Sequence, residues 1–121
     1  MLPFLRERFG NPSSSHVFGR EAKAAIEEAR GHVAALLGCD PEEVYFTSGG
    51  TESSNLAIRG VAGSTATRRV IVTSTVEHPA TARPCDRLRA DGHEVRRVGV
   101  DALGTIRLDD ARGLIREDVA L

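Results

Sequence analysis

The sequence predicts an α/β fold: a mostly parallel sheet flanked by helices and truncated at both ends. Short apolar, β-favouring runs occur at Val44–Phe46 and Val70–Thr73, as expected of strands buried in a parallel sheet, and Glu94–Val98 reads as a third strand. Between them lie stretches whose apolar residues step by three and four, the period of an amphipathic helix. Strands alternating with helices build right-handed βαβ units. The third observation concerns the edges. A helical pattern is already under way at Leu2, and a new apolar strand, Val119-Ala120-Leu121, begins and stops at once. Residues 1–121 are therefore expected to be one fragment of a larger domain.

Taken in order, Leu2 to Phe9 places Leu2, Leu5 and Phe9 on one side of a helix that Gly10 stops. Gly10-Asn11-Pro12-Ser13-Ser14-Ser15 is a loop of turn formers. Ser15 or a neighbour is expected to cap a long helix to Leu37, with Phe18, Ala22, Ala25, Ile26, Ala29, Val33, Leu36 and Leu37 as its apolar stripe. Gly38 ends it, and Asp40-Pro41-Glu42-Glu43 forms a capped single turn. Val44–Phe46 is then read as a buried strand running into the flexible, hydroxyl-rich Thr47–Ser53, with a helical pattern from Asn55 and a connection over 60–67. After the strand Val70–Thr73 a helix is expected from Arg83, with Pro84 in its first turn, to Ala90. Glu94–Val98 is the next strand, Asp101–Thr105 a turn, Ile106 a short strand and Leu108–Ile115 a helix.

The bulk numbers set limits on function. The chain is 40% apolar and 27% charged with a net charge of −1, an ordinary globular balance. That balance gives no electrostatic case for nucleic acid or a membrane surface. No apolar run approaches bilayer length, and Arg6, Glu7 and Arg8 interrupt any leader-like core, so a cytoplasmic protein is expected. Cys39 and Cys85 stand far apart with no CxxC, which indicates neither a disulfide framework nor a zinc site.

The chemistry is concentrated in Val44 to Ile58. A strand that passes through Gly49-Gly50 into a helix start makes an anion site, because the free N–H groups and the helix dipole face the ligand. Thr51 and Ser53 can add hydroxyl donors. The same stretch also fits a plain strand-to-helix turn with Ser/Thr capping. It contains no G-x-x-x-x-G-K-[ST] and no G-x-G-x-x-G. The second element is Glu77-His78-Pro79 after the strand Val70–Thr73. Ligands of open α/β sheets bind beyond the carboxyl ends of strands, so His78 is expected to face the crevice of the Gly50-Thr51 turn. An imidazole there can stack on a flat ring and exchange protons; it can equally be a helix-start histidine bonded to backbone. His32, His93 and His16 carry weaker signals.

Together, GNPSSSHVFGREA (Gly10–Ala22), FTSGGTESSNLAIRG (Phe46–Gly60), TVEHPA (Thr75–Ala80) and DALGTIRLD (Asp101–Asp109) resemble, in order and spacing, the cysteine desulfurases of the class V, fold-type-I pyridoxal-phosphate family. The resemblance implies that the fragment belongs to the cofactor-binding large domain. It implies that Gly50 and Thr51, with Gly49 in the same loop, hold the phosphate of pyridoxal 5′-phosphate. His78 would stack on its pyridine ring and serve in proton transfer. Asn11 and His16 match a loop near the active site and dimer contact. The activity implied is removal of sulfur from L-cysteine to give L-alanine and an enzyme persulfide, which feeds iron–sulfur cluster assembly or another acceptor. Partners implied are a second copy in a homodimer of the parent protein and a sulfur-acceptor or scaffold protein.

This chain departs from the family where the reactive groups are concerned. The Schiff-base lysine and persulfide cysteine lie downstream in the family. Lys23, the single lysine, sits beside the apolar stripe as a solvated residue, and Cys39 and Cys85 read as small structural residues. The 121 residues alone are thus expected to be inactive, and prone to association through open apolar edges. Two other readings remain: another class V enzyme, such as a selenocysteine lyase or aminotransferase, or a non-catalytic phosphate-binding remnant.

Overall fold

A computed structural model describes residues 1–65 and 67–121. The expected connection over 60–67 includes Ala66, which lies outside the described residues. The chain divides into two compact units, Met1–Phe46 and Thr47–Leu121.

In the first unit a short helix α1 (Leu2–Arg6) precedes the long helix α2 (Val17–Leu37). The cap of α2 is His16, the neighbour of Ser15: its Nδ1 accepts the Gly19 amide hydrogen at 3.3 Å. Gly19 is buried and could be nothing larger, since a Cβ there would meet the Ser14 carbonyl oxygen at 2.4 Å and that of Asn11 at 2.7 Å. Gly38 closes α2 in the left-handed conformation at φ 70°. The turn Pro41–Glu43 follows, and Glu43 Oε2 accepts the Asp40 amide hydrogen at 2.8 Å in a capping box. Phe18, Leu36 and Leu37 on α2 are exposed.

The expected buried strand Val44–Phe46 does not form. Val44 has extended dihedrals and is buried, but Tyr45 is 73% and Phe46 51% exposed, and no described residue pairs with the run. A strand is a ladder before it is a sequence pattern, and here another group takes the bonding position. The Arg30 guanidinium donates to the Val44 carbonyl and stacks 5.1 Å over the Phe46 ring.

The second unit holds helix α3 (Gly50–Ser64), strand β1 (Val70–Ser74), helix α4 (Pro79–Ala90), strand β2 (Glu94–Val98) and helix α5 (Leu108–Leu114). β1 and β2 pair in parallel from Val70↔Glu94 to Ser74↔Val98. On the other edge of β1, Val119 bridges Val70 in parallel; the Ala120 amide donates to the Val70 carbonyl, and the Val72 amide to that of Leu121, both at 2.8 Å. The expected terminal strand therefore adds to the sheet beside β1. Ile58 and Ala62 of α3, Ile71 of β1, and Cys85 and Leu88 of α4 form the core, with Val95 against it.

Both helices start earlier than their sequence pattern suggests. α3 begins at Gly50, not Asn55, and runs through Gly60 and Gly63, because burial of Ile58 and Ala62 outweighs the poor helix propensity of glycine. α4 begins at Pro79, not Arg83. Proline at the first helical position has its φ preset and needs no donor, and His78 supplies the cap. Pro84 consequently sits inside the helix, buried. The turn after β2 forms as expected: Asp101 Oδ1 accepts the amide hydrogens of Leu103 and Thr105 at 2.8 and 2.9 Å, and Val100 bridges Ile106.

Candidate functional site

The first turns of α3 and α4 meet in a cleft of about 450 Å³ whose lining includes Thr51, Asn55, Arg59, His78, Arg83 and Arg87. Thr51 and His78, far apart in sequence, therefore share one surface. The expected route to that arrangement, a sheet containing Val44–Phe46, is replaced by the packing of α3 against α4.

The turn entering α3 assigns its polar groups in a specific way. Glu52 Oε2 accepts from both the amide and the hydroxyl of Ser48, at 2.7 and 2.6 Å. That hydroxyl holds the Glu52 carboxyl below its usual range. Thr47 Oγ1 and Ser53 Oγ pair at 2.6 Å. Ser53 is thus engaged within the turn, not offered to a ligand as its sequence position suggests. Thr51 keeps a hydroxyl with no hydrogen-bond partner among the described residues. The Ser53 amide is the first in α3 to find a helical acceptor, the Gly49 carbonyl at 3.1 Å. The amides of Gly50, Thr51 and Glu52 ahead of it are the orphan donors of a helix start. Gly49 and Gly50 are exposed and adjoin the cleft through Thr51 rather than lining it.

His78 is the helix-start histidine bonded to backbone, and its ring also faces the cleft. Its Nδ1 accepts the Ala80 amide hydrogen at 3.1 Å, and its carbonyl accepts from Thr81 and Ala82 at 2.9 and 3.0 Å, so it is the N-cap of α4. Its ring is nonetheless exposed and lines the cleft. With Nδ1 committed as an acceptor, the neutral imidazole carries its proton on Nε2.

Sequence reasoning missed two features. The first is the support under His78: Ser74, buried at the carboxyl end of β1, donates to Glu77 Oε1 at 2.8 Å and accepts from the Val76 amide at 3.3 Å. The Thr75 amide donates to the Val98 carbonyl at 3.0 Å, tying that turn to β2. The second is the basic wall of Arg59, Arg83 and Arg87. Its signal was available, since Asn55 and Arg59 are four apart on α3, as are Arg83 and Arg87 on α4.

Lys23 is exposed on α2 in the first unit. Cys39 is half-buried after α2; Cys85 is buried in the core, and desolvation pushes its thiol up. Among the described residues no His, Cys, Asp or Glu cluster could hold a metal, and no helix is long and apolar enough to cross a membrane.

Comparison with known proteins gives these groups a context. The family profile described as Aminotransferase class-V matches residues 1–121. The chain is 49% identical to a protein named "Cysteine desulfurase IscS" from Dictyoglomus turgidum, over all of this chain and 31% of that protein. It is 43% identical to "Cysteine desulfurase, mitochondrial" from Arthroderma benhamiae, over all of this chain and 25% of that protein. Among solved structures, a "NIFS-LIKE PROTEIN" superposes with a TM-score of 0.87 at 39% identity, over 98% of this chain and 33% of that one. The structure titled "SspA in complex with cysteine" superposes at 0.83 with 34% identity, over 97% of this chain and 34% of that one. The chain thus spans a quarter to a third of the length of these relatives, and its fold is a corresponding part of theirs. By its sequence and its fold, this chain belongs to the class V aminotransferase family.

Proposed function

We propose that these residues form the phosphate and ring-stacking end of a pyridoxal 5′-phosphate site, in the cofactor-binding large domain of a cysteine desulfurase. The observation that carries the reading is the shared cleft: Thr51, with its unpartnered hydroxyl, on one side, beside the helix-start amides of α3, and the exposed imidazole of His78 on the other. The donor set fits a phosphate dianion, because helix-start amides and a free hydroxyl supply charge-assisted hydrogen bonds. A flat ring at His78 fits as well, since the cap fixes the imidazole while leaving its face open.

In this reading Gly49 and Gly50 leave the backbone open for the phosphate, and Thr51 donates to it. His78 packs against the ring and holds or delivers a proton at Nε2, the nitrogen that the cap leaves free. The bound cofactor supplies an electron sink for cleavage of the substrate C–S bond. The reaction converts L-cysteine to L-alanine as its sulfur joins an enzyme thiolate, giving a persulfide for an acceptor or scaffold protein. Neither Cys85, buried with its thiol pushed up, nor Lys23, exposed on α2, suits the roles of sulfur carrier and Schiff-base lysine. Those groups belong to other segments of the parent protein, which works as a cytoplasmic homodimer.

Reading the coding frame beyond Leu121 and assaying its product tests this. An in-frame lysine, then a cysteine, and alanine release from L-cysteine are expected. A product that binds the cofactor yet releases no alanine from L-cysteine would favour an aminotransferase or another lyase instead.

A further inference from the structure

The cleft carries more positive charge than a phosphate seat at Thr51 accounts for. Within Thr47–Leu121 most arginines are committed. Arg96 binds Glu94 and Asp118, Arg97 and Arg89 bind Asp86, Arg107 binds Asp110 and Arg112 binds Asp109. Arg69 and Arg116 reach backbone carbonyls, those of Asp91 and Gly113. Among the described residues of that unit, only Arg59, Arg68 and Arg83 have neither a carboxylate nor a carbonyl partner, and Arg59 and Arg83 both line the cleft. Arg87 lines it too, its charge shared with Asp91 at 3.1 Å. Among the described residues no carboxylate lines the cleft. Glu52, the acidic residue of the first turn of α3, is held by Ser48.

Position decides what these charges can do. Arg59 lies eight residues beyond Thr51 on α3, about 12 Å along the axis at a rise of about 1.5 Å per residue. Arg83 stands just over one turn inside α4. A phosphate seated on the first amides of α3 is beyond hydrogen-bond reach of Arg59. Yet it lies about one and a half Debye lengths away at physiological salt, where that length is about 8 Å, and within one at low salt. Guanidinium groups at that range bias approach without touching the seated group. Concave walls of one sign concentrate the opposite charge and raise association rates.

We propose that Arg59 and Arg83 form an electropositive entrance that steers the phosphate dianion into the cleft and sets its rate of association. The proposal rests on the cofactor reading above. Its test is stopped-flow mixing of the chain with pyridoxal 5′-phosphate, followed by the chromophore's fluorescence, over a range of salt concentrations. Uncharged-headgroup pyridoxal serves as the comparison ligand, and circular dichroism checks that variants fold. The Arg59→Gln/Arg83→Gln variant should associate about threefold to tenfold more slowly at low salt. That difference should vanish at high salt, with the dissociation rate unchanged and pyridoxal unaffected. A faster dissociation rate would make the arginines part of the seat and overturn steering, as would equal slowing with pyridoxal. Saturable binding with unchanged rates overturns the entrance alone. Absence of any saturable binding to the unsubstituted chain overturns the cofactor reading, and the entrance with it.

Discussion

Thr47 Oγ1 and Ser53 Oγ lie 2.6 Å apart across the turn that opens α3, and each satisfies the other. This pairing removes two hydroxyls from any ligand and leaves that of Thr51 free beside the orphan amides. Thr51→Ala should weaken binding of pyridoxal 5′-phosphate about tenfold or more, the loss of one hydrogen bond to a charged group, with little change in melting temperature. Ser53→Ala should do the reverse, lowering stability by about 1 kcal/mol or less while binding is kept. Equilibrium titration of the two variants, paired with thermal denaturation, separates these roles.

His78 caps α4 with the ring that the cofactor reading places against the ligand, and two substitutions divide those roles. His78→Asn can still cap α4 through its side-chain oxygen, so stability should stay close to that of the parent chain. His78→Ala should lose about 1 kcal/mol of stability with the cap. Both should lose ring stacking and weaken binding of the pyridine ring several-fold. Parallel melting curves and ligand titrations check this. Full ring binding by His78→Asn would show that the imidazole does not face the ligand.

Arg96 joins the terminal segment to the sheet. It meets Glu94 at 2.7 Å and Asp118 at 2.7 Å, and donates to the Leu114 carbonyl at 3.2 Å. Its hydrogen bonds hold both carboxyls below their usual range. A carboxylate depressed in the folded state binds fewer protons there than when unfolded. Its contribution is therefore complete above the unfolded carboxylate range, about 3.9–4.3, and is lost as pH falls through that range toward the folded values. Melting temperature should decline on that acid limb, and Arg96→Gln should lower the neutral plateau and flatten the decline. Melts taken across the acid range measure both.

The two cysteines should differ in reactivity. Cys39 is half-buried, whereas Cys85 is 1% exposed and its thiol is pushed up, so at neutral pH it has little thiolate. A disulfide-exchange reagent should label Cys39 in the folded chain and reach Cys85 only in denaturant, as peptide mass analysis would show.

Much of this was legible because local chemistry agreed with packing. The long helix α2, the stop at Gly38, the Asp40 capping box and the Val70 and Glu94 strands all follow from period and turn residues, whereas Phe18, Leu36 and Leu37 of the α2 stripe stay exposed. Val44–Phe46 did not, because β-propensity does not supply a neighbour, and Arg30 claimed the carbonyl that a ladder needs. The starts of α3 and α4 were read too late. Glycine and proline look like breakers, yet Gly50 and Pro79 each sit at the first helical position, where such residues are tolerated. Gly49, Gly50, Thr51 and His78 could be picked out as residue types. A crevice shared by Thr51 and His78 follows from the strand-end rule, but its route, α3 packing on α4, does not show in the sequence. The spacing of Arg83 and Arg87 was legible, but that Arg59 of α3 joins them in one wall depends on the packing of α3 against α4.

The central claim is that a cofactor phosphate rests on the first turn of α3 while its ring lies against His78. Amide and side-chain NMR of the chain, titrated with pyridoxal 5′-phosphate, tests it most directly. Saturable shifts are expected at the Gly50 and Thr51 amides together with the His78 ring, the amide shifts being reproduced by inorganic phosphate and the ring shifts by pyridoxal. Saturation that perturbs residues remote from both groups, or that moves one of them without the other, would contradict it.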